Sequence, residues 1–111
     1  MTSIVFYKRN GLYTGFKIEG HADSDEYGKD IVCAGISVLA QTLYFSLIEN
    51  CGIKEEEIQD VQKDGFLEIQ VDYKKTDNIE VQSNFKYMIT GLRLLEAQYS
   101  EYMNLEKMEV Q

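Results

Sequence analysis

The chain has 111 residues, 44% of them apolar and 12% aromatic, with no Trp and no Pro. That length and composition fit one globular domain over residues 1–111, able to bury its own core without a disulfide or metal staple. Eleven Lys and Arg stand against 19 Asp and Glu, a net charge of −8. This balance argues against direct nucleic-acid binding and against an anionic membrane surface, and favours basic protein partners.

The N-terminus carries no cationic segment ahead of its apolar run and does not read as a signal peptide. Residues 3–9 alternate as a strand, Asn10-Gly11 is a two-residue hairpin turn, and a return strand covers 12–20 with Phe16 and Ile18 on one face. Residues 22–29 are acidic, lack aliphatic anchors beyond Ala22 and read as a loop. A helix is expected from about Asp30 to Asn50, stopped by Gly52 and closed by Ile53. Its uncharged stretch from Ile31 to Ile48 touches the lower limit for a membrane span. Gly35, Ser37, Gln41, Thr42 and Ser46 dilute that stretch and no basic cluster flanks it, so a helix buried on most of its sides is expected, with no membrane. Cys33 and Cys51, about 27 Å apart on such a helix, cannot form a disulfide within one chain. A reducing, cytoplasmic setting is the resulting default.

Residues 58–62 and 66–73 flank Asp64-Gly65, a second hairpin signal, with Leu67, Ile69, Val71 and Tyr73 keeping period two. From about 78 to 102, Val81, Phe85, Met88, Ile89, Leu92, Leu95 and Tyr99 recur at helical spacing, and a short strand over 106–110 closes the chain. The order is ββαββαβ. Strands that come as hairpins give a mixed, mostly antiparallel sheet with two helices packed on it, an α+β compact sandwich.

Chemistry concentrates between Gly20 and Ser37, which hold the only His and one of the two Cys. Asp30 suits a helix N-cap. Cys33 then falls in the first turn, where unpaired amides and the helix dipole favour a thiolate and hence a nucleophile. His21 precedes the loop, which can fold back to bring the imidazole beside the sulfur as general base and acid. Ser37 lies one turn beyond Cys33 on the same face, placed to donate to a reacting carbonyl oxygen or to hold a water. Taken singly, plainer readings win: a buried Cys, a His that finishes a strand, a Ser bonded back to its own helix. Cys51 reads as structural. One His and one accessible Cys fall short of a zinc site, and no phosphate-cradle pattern is present, so no metal and no cofactor is expected.

As a block, Gly20-His21-Ala22, a variable loop, and Gly28-x-Asp30-Ile31-Val32-Cys33-Ala34-Gly35-Ile36-Ser37 resemble the signature of the ribosomal-processing cysteine proteases, the Prp family. The resemblance implies a compact α/β sandwich that forms homodimers. It also implies a basic ribosomal protein precursor as substrate: a large-subunit protein whose short N-terminal extension is removed after a hydrophobic, typically aromatic, stretch. It puts the nucleophile on Cys33 and the catalytic His on His21, with supporting roles for Asp30 and Ser37. In the mechanism that follows, the Cys33 thiolate attacks the scissile carbonyl, His21 protonates the leaving amine, and first-turn amides hold the oxyanion. Asp23, Ser24, Asp25, Glu26, Tyr27 and Gly28 are expected to close over substrate as a lid. The net negative charge suits a basic partner. Two other readings stay open at this point: a non-catalytic ribosome-associated adaptor for a basic ribosomal protein, and a small-molecule thiol hydrolase.

Overall fold

The computed structural model describes residues 1–20 and 27–111. Strands β1 (Thr2–Arg9) and β2 (Leu12–Glu19) form the first hairpin. Its two turn residues both adopt the left-handed conformation a tight hairpin demands, Asn10 at φ 52° and Gly11 at φ 79°. Helix α1 (Tyr27–Cys51) follows, then the hairpin of β3 (Ile58–Lys63) and β4 (Phe66–Val71), helix α2 (Ile79–Tyr99) and β5 (Met103–Glu109). The sheet order is β3-β4-β2-β1-β5, antiparallel throughout except for the parallel pair β1–β5. That pair is parallel because α2 carries the chain from β4 across the sheet to its far edge. The ββαββαβ order and the mixed sheet expected from the sequence are both present.

One cluster joins alternate strand residues, among them Ile4, Phe6, Phe16, Ile69 and Met103, to stripes from both helices: Val32, Ile36, Ala40, Leu43 and Leu47 of α1, and Val81, Phe85, Met88, Ile89 and Leu92 of α2. Phe6 sits at its centre, 5.7 Å from the Phe16 ring and edge-on to Phe85 at 6.4 Å. The β1–β2 register shifts between Tyr7 and Lys8, so that Tyr13 as well as Phe16 turns inward. Before Gly15, β2 has no partner in β4. There Gln82 of α2 takes over, its Oε1 accepting the Tyr13 N–H and its Nε2 donating to the Tyr13 and Thr76 carbonyls, each at 2.9 Å.

The starts of α1 and β5 and the burial of α1 differ from the sequence expectation. α1 starts at Tyr27, so Tyr27 and Gly28, expected in a loop, lie in its first turn, and Asp30 is a first-turn residue rather than the cap. The amides of a first turn need no partner four residues back, so that turn tolerates residues without an apolar pattern. β5 begins at Met103 instead of near 106, because the Thr2 N–H donates to the Tyr102 carbonyl at 2.8 Å and β1 pairs with the chain from there on. α1 is also buried along one stripe only: Cys33, Ala34, Ser37, Val38, Gln41, Thr42 and Phe45 are exposed. Its stretch Asp30–Cys51 is long and apolar enough, by length and composition, to cross a membrane; here that apolarity is divided between the core and the wall of a groove.

Candidate active site

The groove opens between α1 and the β3–β4 side of the sheet, with a volume of about 670 Å3. α1 contributes Cys33, Ser37, Gln41 and Tyr44, spaced so that all four fall on one side of the helix. Facing them are Ile18 of β2, Leu67 and Ile69 of β4, and Asp60 and Gln62 of β3. The last two reach the groove because their register partners are Ile69 and Leu67, on the sheet face that carries the core. The wall is apolar with a few polar groups, the usual make-up of a ligand cleft.

Cys33 is a free, exposed thiol on this wall, which excludes the buried-hydrophobe reading. It lies six residues after Tyr27, in the second turn of α1 and not the first. Its amide is therefore part of the helical ladder, and the expected oxyanion site made of first-turn amides around Cys33 is not what the helix provides. Ser37 stands one turn further along, exposed and in the groove. Its Oγ accepts a hydrogen bond from Gln41 Nε2 at 2.9 Å. The hydroxyl proton has no acceptor among the described residues, so Gln41 leaves Ser37 free to donate toward the groove. Gln41 is a site residue that sequence reasoning missed; the 33–37–41 spacing was the available signal.

His21 and lid residues Asp23, Ser24, Asp25 and Glu26 lie outside the described residues. The chain just before His21 is tightly specified. Gly20 has φ 130°, a Cβ there would come within 2.4 Å of the Met1 carbonyl oxygen, and its N–H donates to the Gly65 carbonyl at 2.9 Å. Only glycine fits such a backbone at such close range, which explains the Gly of the Gly-His pair. Asp30 is exposed and does not line the groove.

Among the described residues, two groups on α1 have shifted ionisation. Burial, and then the charges of Asp60 and Glu55, push the Tyr44 hydroxyl up. At the other end of the helix, burial and then the Glu80 charge push the Cys51 thiol up, and Asn84 Nδ2 donates to its sulfur at 3.2 Å. Cys51 is outside the groove, held in the α1–α2 contact. Among the described residues no group of three or more His, Cys, Asp or Glu is arranged to hold a metal.

Comparison with known proteins places this geometry. The family described as Cysteine protease Prp matches residues 1–104. The ribosomal processing cysteine protease Prp of Staphylococcus aureus (strain Mu50) is 33% identical over 95 residues, 86% of this chain and 87% of that protein. A crystal structure of the ribosomal processing protease Prp from S. aureus with a substrate peptide superimposes with a TM-score of 0.80 at 28% identity, covering 97% of this chain and all of that one. In another, the same protease carries a covalently linked product peptide (TM-score 0.78, 29% identity, 97% and 100% covered). SMU.848 from Streptococcus mutans gives a TM-score of 0.78 at 30% identity over 99% of this chain and 96% of its own. Matched along almost its whole length, with a free thiol on the wall of an open groove, the chain belongs to the Prp family and is a cysteine protease.

Proposed function

We propose that this chain removes the short N-terminal extension of a large-subunit ribosomal protein precursor in the cytoplasm, with Cys33 as nucleophile and His21 as general base and acid. The homodimer implied by the signature belongs to the same reading. The observation that carries it is the exposed Cys33 thiol at one end of a long, largely apolar groove. From Cys33 to Tyr44 the helix rises about 16 Å, room for about five residues of extended peptide. The relatives are named for ribosomal processing, and the net charge of −8 suits a basic substrate.

In this mechanism His21 takes the thiol proton and the Cys33 sulfur adds to the scissile carbonyl carbon. The carbonyl oxygen becomes an oxyanion within reach of the Ser37 hydroxyl, which Gln41 orients. Collapse breaks the C–N bond, and His21 returns its proton to the departing amine. A thioester remains on Cys33. Water, deprotonated by His21, attacks it, releasing the new carboxylate and restoring the thiol.

The test mixes the reduced protein with the precursor encoded in the same genome and weighs the products. One N-terminal cut is expected, with two fragments whose masses sum to the precursor plus one water, and none with Cys33→Ala. An intact precursor after prolonged incubation with the wild-type protein would overturn the reading.

A further inference from the structure

The groove is not electrically uniform along its length. Cys33 lines one end of it on α1, and Gly20, Gly65, Phe66 and Lys63, around the tip of the β3–β4 hairpin, also line it. Tyr44 and Phe45 of α1 form the opposite end, with Asp60 of β3. Asp60 is three residues back along the strand from Lys63, about 10 Å, on the sheet face turned toward α1. It belongs to no ion pair among the described residues. The negative field at that end reaches the Tyr44 hydroxyl, which Asp60 and Glu55 push up after burial has done so first. Glu55 opens the short acidic turn Glu55–Glu57 that leads into β3, so the acidic rim continues beyond Asp60.

We propose that Asp60 is a specificity-determining residue, holding a cationic side chain of the substrate peptide three to six residues from the scissile bond. This rests on the protease reading given above. The distance follows from the rise of α1 between Cys33 and Tyr44, and the chemistry from the wall itself. A Lys or Arg lays its methylene stem along Tyr44, Phe45 and Ile69 and brings its charge to Asp60, while the aromatic faces tolerate a cation. An acidic side chain at the same place meets an unpaired carboxylate, so the groove rejects as well as selects.

The experiment uses competing pairs of peptides that span the cut, identical except for Lys or Glu at one position, with that position moved from three to six residues away on either side. The ratio of kcat/KM within each pair is read by mass. The wild-type protein is expected to favour Lys by about fivefold at one position, the size of a partly exposed ion pair. Asp60→Asn brings that ratio toward one, and Asp60→Lys inverts it. Because both peptides compete for the same enzyme molecules, the ratio does not depend on how much of a variant is folded. A ratio near one at every position, or one that Asp60→Lys leaves unchanged, overturns the inference while cleavage itself stands. Failure to cut any peptide removes the protease reading and this inference with it.

Discussion

The two thiols of this chain share a helix and differ in surroundings. Cys33 is exposed on the groove wall, whereas Cys51 is half-buried beneath Asn84 and near Glu80. Since the thiolate is the reactive form, an alkylating reagent at neutral pH is expected to modify Cys33 at least about tenfold faster than Cys51. Peptide mapping of the labelled protein checks this, and equal labelling would contradict it. The pH dependence has a definite sign. The folded protein keeps the Cys51 proton beyond the pH at which an ordinary thiol, near 9.0, gives it up. Above that pH the folded state therefore binds more protons than the unfolded one, and this contribution to stability falls as pH rises. Other residues show what was legible at this scale. Asn10-Gly11 announced its turn because few residues adopt positive φ. Gly20 could be read as part of a signature, but the reason for it, the Met1 carbonyl packed against its Cα, is a contact between distant residues. Asp60 carries no local mark, since an acid on a strand is ordinary until something faces it, and Gln41 is marked only by its spacing from Cys33 and Ser37.

At the level of elements, α1 and α2 are held to the sheet by different means. α1 uses an apolar stripe and ends in a left-handed Gly52 at φ 71°, with the Ile53 N–H bonded to the Leu47 carbonyl at 3.1 Å. α2 is capped by Asn78, whose Oδ1 accepts from the Glu80 and Val81 amides, and is tied to β2 through Gln82. Gln82→Ala would strip three hydrogen bonds and leave the Tyr13 N–H and C=O unpaired beside the core. The expected cost is about 2 kcal/mol, measurable as a lowered urea midpoint with an unchanged slope; an unchanged midpoint would show that water replaces the amide. The element types were readable from periodicity, and the chain order followed. The start of α1 was not. Residues 27–29 form a helical turn without the apolar spacing that marks a helix, and this moves Cys33 from the first turn to the second.

For the whole molecule, the net charge of −8 acts at a distance that salt controls. Raising ionic strength from about 0.05 to about 0.5 M shortens the screening length from roughly 14 to 4 Å. The kcat/KM for the basic precursor proposed above as substrate should then fall about tenfold while kcat holds, because encounter is slowed and chemistry is not. A short uncharged peptide substrate serves as the control and should respond little. An equal response of both substrates would remove electrostatic steering from the account.

The sequence by itself determined the element types and their order, the two hairpin turns, the one-His, two-Cys inventory and the block from Gly20 to Ser37 that marks the family. Those features are local: a period, a positive φ or a run of specific residues is written in neighbouring positions. Tertiary structure alone decided that α1 is buried on one side only, that its other side joins β3 and β4 in a groove, and that Asp60 lines that groove with Tyr44, itself about 16 Å along the helix from Cys33. The reason is that a strand's inner face is set by register with distant partners. Asp60 faces the groove because it is paired with Ile69, in a hairpin whose tip is fastened to Gly20.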